Sequence, residues 1–188
     1  DESMIFEIIE NKPLTAWVWS MTLRGERSGV TAPGQFVQLQ LPGRYLRRPI
    51  SVYDCDSKSV TIIYKIVGHG TEQMSKMTGG KLDLLTGLGN GYDVSKAGEK
   101  VLLLGGGVGV PPLYLLAKKL IKDGKKVSVV LGFNRRDEGF YEDEFAALGC
   151  VVTVTTADGS YGLKGFVTDA LPENYDSFFT CGPEPMLK

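Results

Sequence analysis

Few residues in this 188-residue chain are suited to metal or thiol chemistry: it has three cysteines and a single histidine. Cys55, Cys150 and Cys181 stand far apart, so no CxxC pair and no disulfide framework can be drawn. The lone His69 has no companion ligands, and loop polarity accounts for it better than metal or acid–base chemistry. No charge of either sign dominates. Lys and Arg total 21 against 22 for Asp and Glu, which removes the electrostatic case for nucleic acid or an anionic membrane. No apolar run approaches the ~20 residues of a membrane span. The N-terminal "DESMIFEIIENK" has neither a basic region nor a cleavage site. These absences leave a reduced, cytoplasmic protein, and its 43% hydrophobic content can fill real cores.

What is present comes in two textures. Up to about residue 96 the chain reads as short strands rich in β-branched and aromatic residues, broken by Gly, Pro and Asp. They are "SMIFEIIENK", "LTAWVWSMTLRG", "GQFVQLQLP", "RRPISVYD" and "SVTIIYKIV", with one short helix at "TEQMSKM". Such spacing predicts an antiparallel barrel or sandwich. After the linker "DVSKAGEK" strands alternate with helices: "KVLLLGG" then "PPLYLLAKKLIKDG", "KVSVVLGF" then "EGFYEDEFAALG", "CVVTVTTAD" then "GFVTDALP", "YDSFFTC" then "PEPMLK". That alternation predicts a parallel sheet covered by helices on both faces. The expected domains are 1–96 and 97–188. The last helix would open at Pro183 and Pro185 and be cut short at Lys188, so the natural protein is expected to continue.

Two stretches carry chemistry. In "GGGVGVPP", Gly105, Gly106, Gly107 and Gly109 lie between strand and helix, where missing side chains would let a phosphate reach backbone N–H groups. Pro112 stands where a dinucleotide fingerprint has its last glycine, and proline is tolerated in a helix's first turn. On this segment alone, a ligand-free turn stays open. In "RRPISVYD", the proline after Arg48 biases that residue to extended backbone. Its guanidinium fork suits a pyrophosphate, with the Ser51 hydroxyl three residues on. Gly70 and Thr71, at a helix start, offer a second anion contact.

Together these stretches resemble the ferredoxin-NADP reductase superfamily. "RPIS" is similar to its R-x-Y-S flavin motif, "GGGVGVPP" to its pyridine-nucleotide turn, and "CGPEPM" to its C-G-P-x-x-M. More narrowly, "LRRPIS", "IIYKIVGHGT", "GLGNGYDV", "GGGVGVPPLYLLAKKL", "ADGSYGLKGFVTD" and "CGPEPMLK" resemble the electron transfer subunits of dihydroorotate dehydrogenase B. The resemblance implies a flavin-binding antiparallel β-barrel followed by a nucleotide-binding α/β domain. It also implies FAD, NAD and a [2Fe-2S] cluster. Electrons would arrive from the FMN of a catalytic subunit, in a two-plus-two heterotetramer serving pyrimidine biosynthesis.

By the same resemblance Arg48, Pro49, Ile50 and Ser51 would contact the flavin, Ile63, Tyr64 and Lys65 would line it, and Gly70 and Thr71 would bind its pyrophosphate. Cys181 would lie near the nicotinamide, and no catalytic acid or base is implied. Ile50 departs from the family's tyrosine; Tyr53 and Tyr64 could supply an aromatic, with core packing the favoured role for both. The cluster cysteines of the family lie beyond its C-G-P-x-x-M motif, and the plant-type C-x4-C-x2-C spacing is absent from this chain. Asp158, after the strand "VVTVTT", is placed to accept a bond from an adenosine ribose and repel a 2′-phosphate, whereas Arg135-Arg136 could welcome that phosphate. Two other readings remain: the flavin and iron–sulfur subunit of an NADH-dependent ferredoxin-NADP oxidoreductase or sulfide dehydrogenase, and a flavin-free regulatory nucleotide-binding module.

Overall fold

The computed structural model describes residues 4–25, 33–89 and 91–181. The expected motif residues 182–188, including Pro183 and Pro185, lie outside them. The chain forms two compact units, Asp1–Tyr92 and Asp93–Lys188.

The first unit is a closed antiparallel barrel of six strands: β1 (Met4–Pro13), β2 (Val18–Arg24), β3 (Phe36–Gln40), β4 (Arg48–Cys55), β5 (Ser59–Lys65) and β6 (Lys81–Leu88). Their order around the wall is β1-β2-β5-β4-β3-β6. Alternate side chains fill the interior, as a small barrel requires. Phe6, Leu23, Val37, Leu39, Val52, Ile62, Leu82 and Leu84 are all buried. The short helix α1 (His69–Ser75) follows β5. The strand β6, "KLDLLTGL", is not among the strands expected from sequence. Only Leu82 and Leu84 of its apolar residues alternate cleanly into the core, and glycines flank the run closely.

The second unit is a five-stranded sheet in the order β10-β9-β8-β7-β11. Its strands are β7 (Lys100–Gly106), β8 (Lys126–Phe133), β9 (Val151–Thr156), the two-residue β10 (Leu163–Lys164) and β11 (Ser177–Cys181), paired in parallel throughout. β7 and β8 are buried almost end to end, the mark of a parallel sheet covered on both faces. Helix α2 (Val110–Lys122) covers one face, burying Val110, Leu113, Leu116, Ala117 and Leu120 along a single stripe. On the other face Val167 packs with Leu102, Leu104 and Val130. The segment carrying Val167, expected as a helix in "GFVTDALP", is a four-residue 3₁₀ turn (Val167–Ala170). Helix α3 (Glu142–Ala147) lies between β8 and β9 and buries Phe145. It begins at Glu142 rather than in the aromatic run before it, because Tyr141 adopts a left-handed backbone (φ 68°).

In this parallel sheet the chain lays down β8, β9 and β10 on one side of β7 and then returns to place β11 on the other. The order therefore reverses at β7, and open sheets present their binding crevice at the carboxyl ends of the strands at such a point.

Candidate functional site

Each unit presents a distinct site, and the one on the barrel arises from an irregularity in its wall. β4 changes partner midway. Its first half pairs with β3 (Leu39↔Arg48 to Phe36↔Ser51), and its second half pairs with β5 (Val52↔Ile62 to Cys55↔Val60). Arg48–Ser51 therefore have no partner on β5, and Ile63–Lys65 have none on β4, although β5 still pairs with β2 as far as Val18↔Lys65. Between these two stretches the wall carries no β4–β5 ladder. All seven of the residues expected to touch a flavin from these two strands fall within them.

Arg48 stands at the start of the β4 stretch. Its guanidinium lies over Gly70, where even a methyl group on residue 70 would collide with it. Its Nε is buried and has no hydrogen-bond partner among the described residues. A buried donor left without an acceptor costs about 1–3 kcal/mol, so the position is suited to an acceptor from outside the chain. The neighbouring Arg47 is committed elsewhere: it pairs with Asp83 at 3.1 Å.

Thr71 is placed differently from its expected anion contact. Its hydroxyl accepts from Val67 N (2.9 Å) and Gly68 N (3.3 Å) and donates to Gly68 O (3.1 Å). Its side chain thus folds the loop onto α1. Tyr53 and Tyr64 are both buried, and the Tyr64 hydroxyl donates to Asn11 Oδ1 at 2.7 Å. His69 is exposed, with Nδ1 3.9 Å from the Glu72 carboxylate.

In the second unit the glycine turn joins β7 to α2 through a 3₁₀ turn, Gly107–Gly109. The glycines do different work. A side chain at Gly105 would meet Leu113 Cδ1 at 2.7 Å and Val110 Cα at 3.3 Å, so its absence lets the helix sit close on the strand. Gly107 has a left-handed φ of +53° and open space where its side chain would be. Pro111 and Pro112 are buried in the first turn of α2, where no N–H is needed. Cys181 ends β11 in register with Gly105, so the turn and the thiol share the carboxyl edge at the point where strand order reverses.

Asp158 lies two strands away, about 10 Å from the turn at ordinary strand spacing. Its Oδ1 accepts from Ser160 N (2.9 Å) and Ser160 Oγ (2.6 Å), and these bonds hold its carboxyl below the usual range. Ser160 Oγ also accepts from Arg136 N at 2.9 Å. The Arg136 guanidinium stands 5.1 Å from the centre of the Tyr161 ring. Tyr161 in turn donates its hydroxyl to Glu142 at 2.7 Å. Arg135 is engaged by Asp137 (3.3 Å) and Glu138 (3.7 Å). The Asp-x-Ser spacing is the one sequence signal for Ser160, an Asx turn, and Tyr161 carries none.

A barrel whose wall lacks part of one ladder, followed by a parallel sheet with a glycine turn at its reversal point, defines the class of ferredoxin-NADP reductase-like oxidoreductases. A family model described as the oxidoreductase NAD-binding domain matches residues 103–188. An NADH-dependent reduced ferredoxin-NADP oxidoreductase structure is 32% identical with a TM-score of 0.85, over 98% of this chain and 70% of that one. A ferredoxin reductase of carbazole 1,9a-dioxygenase, at 21% identity and a TM-score of 0.84, covers 99% of this chain and 63% of its own; it shares the fold. The dihydroorotate dehydrogenase B (NAD(+)) electron transfer subunit of Fusobacterium nucleatum is 46% identical over 95% of this chain and 75% of its own length. The Bacillus pumilus subunit of the same name is 42% identical over 96% and 74%. The chain belongs to the family of dihydroorotate dehydrogenase B (NAD(+)) electron transfer subunits.

Cys150 and Cys181 should respond differently to alkylation. Burial pushes the Cys150 thiol up to about 11, whereas Cys181 is half-buried at a strand end. At pH 8 only about one Cys150 in a thousand carries the reactive thiolate. Iodoacetamide at that pH should label Cys181 well before Cys150, as read by peptide mass spectrometry. Because the folded value is raised, the stabilising contribution is complete below the ordinary thiol value of 9.0 and is lost as pH rises through about 11. Equal labelling of the two thiols in the folded chain would contradict this placement.

Proposed function

We propose that this chain holds FAD on its barrel and NAD on its parallel sheet, and relays to NAD the electrons delivered by a dihydroorotate-oxidising partner. The observation that carries the flavin half is Arg48, whose buried Nε lacks an acceptor among the described residues and whose guanidinium occupies the space a side chain at Gly70 would take. Arg48, the Ser51 hydroxyl and the Gly70 backbone would hold the pyrophosphate, and Thr71 would act through the loop it folds. Pro49, Ile50 and the unpaired strand edge at Ile63, Tyr64 and Lys65 would line the ring. The residues present therefore fit the group.

The nucleotide half rests on Gly105, Gly106, Gly107 and Gly109, with Cys181 beside them at the reversal point. The open side of Gly107 would let a phosphate reach the backbone, and Gly105 would keep the helix close enough to share in holding it. Asp158 keeps one carboxylate oxygen free of Ser160, in a position to accept from a ribose hydroxyl and to repel a 2′-phosphate. FAD, when bound, supplies hydride exchange with nicotinamide, a chemistry that belongs to the two cofactors. The chain's residues bind and orient them, and no general acid or base is assigned.

The relatives' name, electron transfer subunit, supports a catalytic partner. In this reading it is an FMN-containing dihydroorotate dehydrogenase subunit, assembled two plus two in the cytoplasm, and the pair serves pyrimidine synthesis. Among the described residues no group of three or more His, Cys, Asp or Glu could hold a metal, so these residues do not fit a [2Fe-2S] cluster and no step is routed through one. The similarity at 32% identity to an NADH-dependent reduced ferredoxin-NADP oxidoreductase favours a second reading, in which this chain is the flavin subunit of an oxidoreductase of that kind. Identities of 42% and 46% to the dihydroorotate subunits favour the first.

Arg48→Ala should lower FAD affinity roughly ten- to a hundredfold, the equivalent of about 1.5–3 kcal/mol for a charged hydrogen bond to phosphate. Arg47→Ala should leave affinity nearly unchanged and instead lower stability, because it strands Asp83. Equal flavin occupancy in the two purified variants would sink the assignment.

The choice of nicotinamide cofactor should follow Asp158. Asp158→Ser should shift the ratio of kcat/KM for NADH over NADPH toward NADPH, measured with an artificial electron acceptor. An unchanged ratio would move the discrimination to Arg135 and Arg136.

A further inference from the structure

Helix α1 has seven residues, too few to hold a position by its own backbone bonds. Thr71 secures its front end. Its rear end is held from across the barrel by Asn11 on β1, whose side-chain amide donates to Met74 O (2.8 Å) and to Met77 O (2.9 Å). Met74 is in the last turn of the helix and its carbonyl also accepts from Met77 N at 3.1 Å, while Met77 lies two residues past Ser75, so Asn11 ties the helix end to the turn that follows it. The Tyr64 hydroxyl donates to the oxygen of the same amide, so the NH₂ of Asn11 has one direction left to it, toward α1. Tyr64 is buried, and that burial pushes its hydroxyl up to about 12, keeping it a donor at any working pH.

Gly70 sits on this helix, and Arg48 packs on Gly70 with no room to spare. A small shift of α1 would therefore move the surface on which the guanidinium rests. We propose that Asn11 and Tyr64 are positioning residues for flavin: by fixing the rear of α1 they hold Gly70 against Arg48 and set how tightly the chain grips the flavin's phosphates. This rests on the flavin reading of Arg48. It assigns to Tyr64 a side-chain role separate from the backbone edge that β5 offers the ring.

A hydrogen bond that served only stability would lower the melting temperature and leave flavin affinity in the folded chain untouched. The test is therefore a cycle of FAD dissociation constants, measured by flavin fluorescence at a temperature where every variant is folded. Asn11→Asp keeps the size of the side chain and an acceptor for Tyr64, and removes both donors to α1. It should weaken FAD binding roughly five- to tenfold, and Tyr64→Phe should weaken it by a smaller factor. In an Arg48→Ala background the same changes should alter affinity less than about twofold, because residues acting through one another are not additive. Native affinity in the folded Asn11→Asp chain would overturn the proposal, and so would an equal loss with and without Arg48. Should Asn11→Asp fail to fold, Tyr64→Phe carries the cycle under the same criterion. If the unaltered chain bound no FAD at all, the flavin reading itself would be the one to fall.

Discussion

A guanidinium carried on the first residue of β4 lies against the bare backbone of Gly70, and the flavin site proposed for the barrel depends on that contact. Arg48 lies in the half of β4 that pairs with β3 rather than β5, so over Arg48–Ser51 and Ile63–Lys65 the two strands share no ladder. A closed barrel normally removes every edge. Here a local edge is kept, and it is bordered by a cation whose Nε is buried without an acceptor among the described residues. A buried, unpartnered donor beside such an edge is a costly feature for a small barrel to retain without a ligand. It becomes reasonable when an anionic, hydrogen-bonding ligand completes it.

The second unit reaches a comparable result by topology rather than by irregularity. Its sheet is regular, and what marks the site is the position of β7 between β8 and β11. That placement brings Cys181, from the far end of the unit's sequence, into register with Gly105. The glycines of the turn then divide their labour. Gly105 makes room for α2, whereas Gly107 provides the left-handed corner and an open face. A dinucleotide lying along this edge from the turn toward β9 would meet Asp158, held by Ser160 in an Asx turn with one carboxylate oxygen free.

Much of the fold could be read from composition and periodicity, since the barrel strands are short and rich in β-branched residues and the central sheet strands β7 and β8 are buried almost end to end. The same rules missed β6, where two inward leucines in a Gly-flanked run carry too little period to register. They made a helix of "GFVTDALP", which closes as a 3₁₀ turn once Val167 has docked on the sheet face. At the sites, residue type was legible and the use of each side chain was not. Thr71 looked like an anion contact, but its hydroxyl is consumed by the loop before it. Gly105 looked like a phosphate approach, but a leucine fills the space in front of it. Asn11, 63 positions from Met74, gave no local signal, because its partners are brought to it by barrel closure.

The account stands or falls on whether one chain holds both cofactors in working order. The direct measurement is anaerobic titration of the purified, FAD-reconstituted chain with NADH, followed in the visible absorbance of the flavin. One FAD per chain is expected, bleached by one equivalent of NADH and far more slowly by NADPH. A chain that retains no stoichiometric FAD, or whose bound flavin NADH leaves oxidised, would contradict it.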